Sequence, residues 1–311
     1  MLSLPSTLSL SEAVYWAYLT VRRDRRHYVP FPRPITTERL RASLRPVVRR
    51  PIFIIGAPRS GTTFLGRCIG ALPEVAYHFE PAAIQRSVQH VYRGTWSERE
   101  AQHAYTVVYR WLLRLHLDGD RRLADKTPRH CFIVPFLYRT FPDATFVHIV
   151  RDGRDAALSH SKKPWLQQAM EGAEQYGVGG NRFGPYPRFW VRPERERAFR
   201  TTTDYHRCIW AWKRHVEAAR EGLADVPADQ QHTMRYADWV RHPMREGGRL
   251  LDALGIAPEP SRQRLLATAS TAHTRSVGAW RTELTAQQRA IATHEAGDLL
   301  EWVGGAASSP V

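Results

Sequence analysis

The segment PIFIIGAPRSGTTFL, residues 51–65, constrains the fold of this chain more than any other. Its apolar run from Ile52 to Ile55 has the β-branched and aromatic composition of a strand buried on both faces, and it stops at Gly56. Gly56 and Gly61 are five residues apart with two hydroxyl residues behind them, the spacing of the phosphate loop G-x-x-x-x-G-K-[ST]. The sequence therefore predicts a strand, a phosphate loop and a helix.

Thr62 stands where such a loop has its lysine. The glycines and the first amides of the following helix can still hold an anion, because those amides have no partner within the helix. A nucleoside triphosphate would lose the cation that bridges its β- and γ-phosphates. We therefore expect a ligand with one phosphate at this point. The alternative is a strand–turn–helix with incidental glycines.

A second buried strand, Thr145 to Val150, leads directly into a charged turn and a helix. Arg151 follows this strand and Ser159 lies two helical turns later. A guanidinium and a hydroxyl at this spacing suit a second phosphate, bound apart from the first. Asp152 and Asp155 are better explained as carboxylates that hold neighbouring arginines and cap the helix than as catalytic acids.

Two further charged residues follow predicted strands. Glu80 comes after the strand 75–79, at the edge where open parallel sheets place their ligands, although a capping or ion-paired role fits its position alone slightly better. Lys126 lies where the brief strand in 123–130 enters a loop. It is a candidate site residue, and the alternative is a structural role in which it pairs with Asp125 or Glu80. Three histidines are alternative bases: His78, His130 and His148.

Apolar periodicity predicts the remaining elements. Helices are expected at 63–72, 105–117 and 244–254, with another around 209–219 that ends at Gly222, and a late strand at 232–236. Residues 164–203 form a Gly-, Pro- and aromatic-rich insertion, expected to be either a cover over an acceptor site or a satellite cluster packed on the sheet.

The chain carries a net charge of +15, which implies anionic partners. Only four of the 45 basic residues are lysines, and the arginines are dispersed, which argues against a nucleic-acid-binding arm. The three cysteines are odd in number and show no metal-ligand spacing, which predicts reduced thiols in the cytoplasm and no metal site. They are Cys68, Cys131 and Cys208.

The chain is expected to contain three regions. Residues 1–50 combine an amphipathic helix at 8–21, too short to span a membrane but able to touch one peripherally, with an extended connection. Residues 51–304 form one catalytic domain that includes the insertion, and residues 305–311 form a flexible tail.

Four quoted stretches resemble one known family: GAPRSGTT, the Glu-Pro after the second strand, DKTPRH and VRDGRDAALSHSKK. They are similar to those of sulfotransferases that use 3′-phosphoadenosine 5′-phosphosulfate, particularly a bacterial branch related to the protein-tyrosine and heparan types. The resemblance spans Pro51 to about Gly304. It implies a three-layer, P-loop-like α/β fold with a mostly parallel central sheet.

The resemblance also implies roles for individual residues. The loop would bind the 5′-phosphosulfate, and its residues are Arg59, Ser60, Gly61, Thr62 and Thr63. Arg151 and Ser159 would hold the 3′-phosphate, while Glu80 would be the base and Lys126 would stabilise the leaving phosphate. The segment 276–285 resembles the part that returns to the nucleotide, through Gly278, Trp280 and Arg281; Ala279 departs from the basic residue common there.

The sequence thus predicts metal-independent transfer of a sulfuryl group to a hydroxyl or amine. Two alternatives stay open: a P-loop kinase, and a nucleotide-binding protein without turnover. The acceptor is expected to be a small molecule, glycan or lipid and not a nucleic acid. Neither its identity nor the oligomeric state can be deduced from the residues.

Overall fold

A computed structural model describes residues 33–304 of the chain, together with Tyr15 and Tyr18. The expected N-terminal helix at 8–21 and the tail at 305–311 otherwise lie outside the described residues. Tyr15 and Tyr18 have helical backbone. Helix α1 (Thr37–Leu44) is followed by an extended connection into the sheet.

Five strands form one sheet in which every neighbouring pair is parallel. They are β1 (Ile52–Ile55), β2 (Val75–Phe79), β3 (Arg122–Lys126), β4 (Thr145–Val150) and β5 (Gln231–Arg235). Their order is β2–β3–β1–β4–β5. The predicted parallel α/β fold is confirmed.

Helices cover both faces of this sheet. They are α2 (Thr62–Gly70), α3 (Ala82–Tyr92), α4 (Glu98–Leu115), α5 (Val134–Thr140), α6 (Gly153–Ser161), α7 (Glu196–Thr201), α8 (Asp204–Leu223), α9 (Tyr236–Arg241), α10 (Pro243–Leu254), α11 (Glu259–Ala269), α12 (Trp280–Glu283) and α13 (Ala286–Gly304). Within the described part of the chain, none is long and apolar enough to cross a membrane.

The alternation of side chains along β1 divides the core into two layers. Phe53 and Ile55 point to one face, where they pack with α3–α6, α8 and α13. Ile52 and Ile54 point to the other face, where they pack with α2 and α9–α11. All four side chains are fully buried, as the apolar run predicts for a central parallel strand.

The strand order brings the candidate residues to one edge. From β1 the chain runs to β2 and β3 on one side, and then crosses to β4 and β5 on the other. The loop after β1 therefore lies at the point where the strand order reverses, which is where open α/β sheets bind ligands. Glu80, Lys126 and Arg151 follow the carboxyl ends of β2, β3 and β4, at the same edge of the sheet.

The strands at 52–55, 75–79 and 145–150 match the predicted bounds, whereas helix α4 begins seven residues earlier than expected, at Glu98. The cause is a capping box: Ser97 N–H donates to Glu100 Oε2 at 2.8 Å, and Glu100 N–H donates to Ser97 Oγ at 3.3 Å. Because the first turns of α4 are mostly polar, apolar periodicity alone missed them.

Part of the insertion 164–203 packs on the core, as expected for a satellite cluster. Four of its apolar side chains are buried in the core: Leu166, Phe189, Trp190 and Phe199. The part of the insertion at Val178 and Gly179 contacts α3 and the segment that follows β3. Arg86 Nε donates to the Val178 carbonyl at 3.3 Å, and Arg129 Nη1 donates to the Gly179 carbonyl at 3.2 Å. Tyr176 is 62% exposed.

Candidate active site

The loop between β1 and α2 depends on unusual backbone angles. Gly61 has φ 95° and Arg59 has φ 69°, both in the left-handed region. A Cβ atom at Gly61 would lie 2.5 Å from the Tyr236 ring. The loop thus needs glycine at position 61 for both its conformation and its contact with Tyr236.

The loop presents polar groups that lack protein partners. The Ser60 side chain is fully buried, and its Oγ has no hydrogen-bond partner within the described residues. Helix α2 begins after Gly61 without a side-chain cap, so its first amides are free to bind an anion. Thr62 is buried beside Ser60, while Thr63 is half-buried. These groups fit a single phosphate or phosphosulfate.

Arg151 connects the loop to two other segments. Its Nη1 donates to the Arg59 carbonyl at 2.9 Å and its Nη2 donates to the Ser276 carbonyl, while its guanidinium carbon lies 4.7 Å from the centre of the Tyr236 ring. The side chain is buried, and its Nε has no partner in the described chain. Burial lowers the pKa of Arg151, an effect that the nearby Asp155 opposes.

Ser159 contacts the phosphate loop in this structure. Its Oγ accepts a hydrogen bond from Arg59 Nε at 3.1 Å, so the side chain of the loop arginine reaches across to α6. Burial lowers the pKa of Arg59, and the charge of Arg151 lowers it further. The residues expected to hold two different phosphates are therefore in direct contact.

Asp155 holds the late segment 276–285. Its carboxylate accepts hydrogen bonds from Gly278 N–H at 2.7 Å and Trp280 N–H at 3.0 Å. The expected helix cap is Asp152 alone, which accepts from Arg154 N–H and pairs with the Arg154 side chain. Asp155, which the sequence predicts to hold a neighbouring arginine, instead accepts hydrogen bonds from two backbone amides. The φ of 78° at Gly278 brings its N–H towards α6.

Trp280 packs against two guanidinium groups. The guanidinium carbon of Arg154 is 3.6 Å from its ring centre, and that of Arg281 is 4.9 Å away. Next to this stack is a cavity of about 580 Å³, lined by Arg151, Tyr236 and Gly278 among others. The cavity contains six arginines in its lining: Arg151, Arg235, Arg241, Arg245, Arg249 and Arg281. Such a cavity attracts phosphate groups.

Glu80 and Lys126 form an ion pair at the other side of the loop. Lys126 Nζ lies 2.5 Å from Glu80 Oε1, and it also lies 3.8 Å from the centre of the Phe79 ring. The Lys126 side chain is 2% exposed, whereas that of Glu80 is 23% exposed. Asp125, the other expected partner, instead accepts from Tyr109 and Thr127.

The three alternative bases are all interior. His130 is fully buried with its ring edge-on to Phe53, and burial lowers its pKa to about 3. His148 is 1% exposed, and burial lowers its pKa to about 4. His78 is fully buried, with its ring centre 5.5 Å from that of His116. Glu80 is the partly exposed candidate among these residues.

Sequence reasoning missed the position of Tyr236. The sequence indicates only that Tyr236 ends the predicted strand 232–236, yet its ring lies against Gly61 and Arg151, and its hydroxyl is 3.0 Å from Ser276 Oγ. Its place directly after β5 was the available signal, because the carboxyl ends of all five strands meet at this edge.

Two sulfotransferases are among the solved structures that are similar to this chain. One is a sulfotransferase domain from the curacin biosynthetic pathway, 16% identical, with a TM-score of 0.49 over 79% of this chain and 98% of that chain. The other is a sulfotransferase from Alicyclobacillus acidocaldarius, 18% identical, with a TM-score of 0.47 over 84% of this chain and 98% of that one.

Two relatives are similar in sequence. A protein-tyrosine sulfotransferase of Drosophila melanogaster is 25% identical over 66% of this chain and 38% of its own length. An uncharacterized protein of Aquifex aeolicus is 29% identical over 41% of this chain and 18% of its own. The chain spans well under half the length of both relatives. The model of the sulfotransferase family matches residues 51–260, and this chain therefore belongs to the sulfotransferase family.

Proposed function

We propose that the protein transfers a sulfuryl group from 3′-phosphoadenosine 5′-phosphosulfate to a hydroxyl or amine. One observation carries this assignment: the Lys126–Glu80 ion pair and the lysine-free phosphate loop lie at the carboxyl ends of adjacent strands of one sheet. Glu80, which can accept a proton, and the cation Lys126 therefore lie next to a site suited to one phosphosulfate.

The donor would be bound by two groups of residues. The amides at the start of α2 and the Ser60 hydroxyl suit the 5′-phosphosulfate, because the helix start has no side-chain cap and Ser60 Oγ has no partner in the described chain. Thr62 follows Ser60 in the same loop and would add its hydroxyl. Arg151, supported by Ser159, suits the 3′-phosphate. The segment of Gly278 to Arg281, which Asp155 holds against α6, would close over the nucleotide.

In the reaction, the acceptor oxygen forms a bond to sulfur while the bond from sulfur to the 5′-phosphate oxygen breaks. Glu80 would take the proton from the acceptor, because a neutral hydroxyl is a poor nucleophile. The electron pair of the broken bond stays on the phosphate oxygen. Lys126 would stabilise that charge as it develops, a cation already buried and held in place by Glu80.

Calorimetry tests the donor assignment against the kinase alternative. We expect 3′,5′-adenosine bisphosphate to bind in the presence of a chelator, and Arg151→Ala to weaken that binding roughly tenfold or more, as loss of a charged hydrogen bond predicts. The exposed Arg139, which pairs with Glu98, provides the control variant Arg139→Ala. Tighter binding of ATP with Mg²⁺ would contradict the proposal and favour a kinase.

Incubation of extracts with labelled donor tests turnover. Mass spectrometry should identify a small molecule, glycan or lipid that gains one sulfuryl group. Nucleotide binding without any labelled product would favour the non-catalytic alternative.

We propose that residues 51–304 act as one catalytic domain. We also propose that the protein works in the cytoplasm, since all three cysteines are buried free thiols.

A further inference from the structure

Helix α1 turns its polar side chains inward and its apolar side chains outward. Arg39 and Ser43, one turn apart, are both buried. Leu40 and Leu44, also one turn apart, are 45% and 68% exposed. An amphipathic helix on the surface of a globular protein normally shows the opposite arrangement. The leucines of α1 therefore contribute little to the core.

Hydrogen bonds hold α1 in this orientation. Arg39 Nε donates to the Leu117 carbonyl at 2.9 Å, and Gly119 N–H donates to Ser43 Oγ at 3.3 Å. Arg114, near the end of α4, donates through Nε to the Ser43 carbonyl at 3.3 Å. Polar groups thus make the contact between α1 and the rest of the fold, and the leucines face away from these partners.

Three more exposed apolar side chains adjoin the leucines. Ile35 lies just before the helix, and Val47 lies three residues after its last leucine. Leu115 is also exposed, and the preceding Arg114 donates to the Leu44 carbonyl. Clusters of exposed apolar side chains commonly mark an interaction site. We call these residues the α1 surface: Ile35, Leu40, Leu44, Val47 and Leu115.

Arginines without ion-pair partners accompany the same leucines. Arg41 and Arg45 each follow a leucine directly, and Arg49 lies four residues further on. All three are exposed, and none pairs with a carboxylate in the described part of the chain. Glu38 is the one acidic residue of the segment 35–50. The α1 surface thus combines exposed apolar side chains with positive charge.

Charge complementarity distinguishes the occupants that could cover this surface. A second copy bound across a two-fold axis would bring Arg41 and Arg45 towards their own equivalents, which is unfavourable. Residues 1–32 carry four arginines against two acidic residues, so their charge has the same sign. An anionic lipid surface suits both features, because its headgroups attract arginine and its acyl boundary accepts leucine.

We propose that the α1 surface binds peripherally to a membrane that contains anionic lipid. Leu40 and Leu44 would enter the boundary between headgroups and acyl chains, while Arg41 and Arg45 contact lipid phosphates. The apolar and the charged contributions act together, so loss of either weakens the binding. Salt weakens it as well, because the arginines act at an exposed surface.

The α1 surface lies at the edge of the sheet opposite the candidate active site. Leu117 and Gly119, which contact α1, precede β3 in the chain. Because every strand is parallel, this is the amino-terminal edge, whereas Glu80 and Arg151 follow carboxyl ends. A membrane bound at α1 would therefore leave the candidate active site accessible, and the inference does not depend on the proposed function.

Co-sedimentation of the full chain with vesicles tests the proposal. The probes are vesicles of phosphatidylcholine alone and vesicles of phosphatidylcholine mixed with phosphatidylglycerol. We expect the partition coefficient for the anionic vesicles to be at least roughly tenfold higher than that for the neutral ones, because several arginines contribute. Added salt should lower it towards the value for the neutral vesicles.

Two double variants locate the contact. Leu40→Ser with Leu44→Ser removes apolar surface, and Arg41→Gln with Arg45→Gln removes charge. Each should weaken binding to anionic vesicles roughly tenfold or more, and the leucine variant should keep its residual salt dependence. Neither should alter the affinity for 3′,5′-adenosine bisphosphate, since the candidate active site lies at the opposite edge of the sheet.

Matched controls change similar side chains elsewhere. Met244→Ser removes a comparably exposed apolar side chain, 58% exposed, from α10. Arg192→Gln with Arg197→Gln removes two exposed arginines next to and within α7. Both control proteins should bind anionic vesicles like the wild type. Far-UV circular dichroism checks that every variant is folded.

Several outcomes would overturn the membrane proposal: no binding to anionic vesicles, equal binding to both kinds of vesicle, or wild-type binding in the folded α1 variants. Binding that is lost only when the arginines of the run 22–26 are replaced by glutamine would assign the lipid contact to that run instead. A dimer in light scattering that becomes a monomer in the leucine variant would assign the α1 surface to a second copy.

Discussion

Glu80 contacts Lys126 through its backbone as well as its side chain. Its N–H donates to the Lys126 carbonyl at 3.0 Å, while its Oε1 lies 2.5 Å from Lys126 Nζ. Glu80 also has φ 47°, an uncommon conformation for a residue other than glycine. Strained residues persist only where their surroundings hold them, and they concentrate at functional sites. The two residues therefore form one unit at the ends of β2 and β3.

Glu80→Gln should separate catalysis from donor binding. The amide cannot accept the acceptor proton, so we expect kcat to fall by roughly 10²–10⁴-fold, the usual contribution of a general base. Binding of 3′,5′-adenosine bisphosphate should change little, because we propose that Glu80 contacts the acceptor and not the nucleotide. Steady-state kinetics with labelled donor and calorimetry on the same preparation measure the two effects.

Glu98→Gln is the matched control for this change. Glu98 also forms an ion pair, with Arg139, but both side chains are about half exposed, at 49% and 56%. Its variant should keep wild-type kcat, since exposed ion pairs contribute little. Near-wild-type turnover in Glu80→Gln would show that another group is the base.

Asp155→Asn should loosen the segment that contains Gly278 and Trp280. One carboxylate oxygen accepts from each amide, and an asparagine side chain presents an NH₂ group to one of them. We expect nucleotide affinity to fall roughly tenfold, from the loss of one charged hydrogen bond. Trypsin should cleave faster after Arg275 or Arg281, and added nucleotide should slow that cleavage.

Asp252→Asn provides the comparison for that experiment. Asp252 pairs with Arg262, but its side chain is 72% exposed, so its variant should keep both nucleotide affinity and the protease pattern. An Asp155→Asn protein with wild-type affinity and cleavage would mean that the late segment is held by other contacts.

The sequence predicted the strands of the sheet and the residues at their ends well, because apolar runs and glycine spacing are local signals. It did not predict which side chains meet across the site. The contacts from Arg59 to Ser159 and from Asp155 to Gly278 join residues about 100 or more positions apart, and only the packing of α6 against the loop decides them. The contact of Tyr236 with Gly61 could not be predicted for the same reason, because it depends on the place of β5 in the sheet.

Gly61→Ala should destabilise the protein more than the same change at Gly94. Both glycines have positive φ, 95° and 65°, so alanine costs about 1–2 kcal/mol at either position. A Cβ at Gly94 meets nothing within 4 Å, whereas one at Gly61 overlaps the Tyr236 ring, which adds about 1–3 kcal/mol. Urea unfolding of both variants measures the difference. Equal losses would show that the Tyr236 ring moves away freely.

His130 should make the protein less stable in acid. It is neutral in the fold, because burial lowers its pKa to about 3, whereas an unfolded histidine titrates near 6.5. Stability from this group is complete above pH 6.5 and is lost as pH falls towards 3. The loss is roughly 2 kcal/mol by pH 5, since each pH unit costs about 1.4 kcal/mol.

His130→Phe tests this directly, because phenylalanine suits the aromatic cluster around Phe53 and does not titrate. The difference in unfolding free energy between pH 7.5 and pH 5.0 should shrink by roughly 2 kcal/mol in this variant. It should not vanish, because burial also holds the pKa of His148 and His215 at about 4. His103→Gln, at an exposed position, should keep the wild-type difference. An unchanged pH dependence in His130→Phe would mean that His130 opens to water before it is protonated.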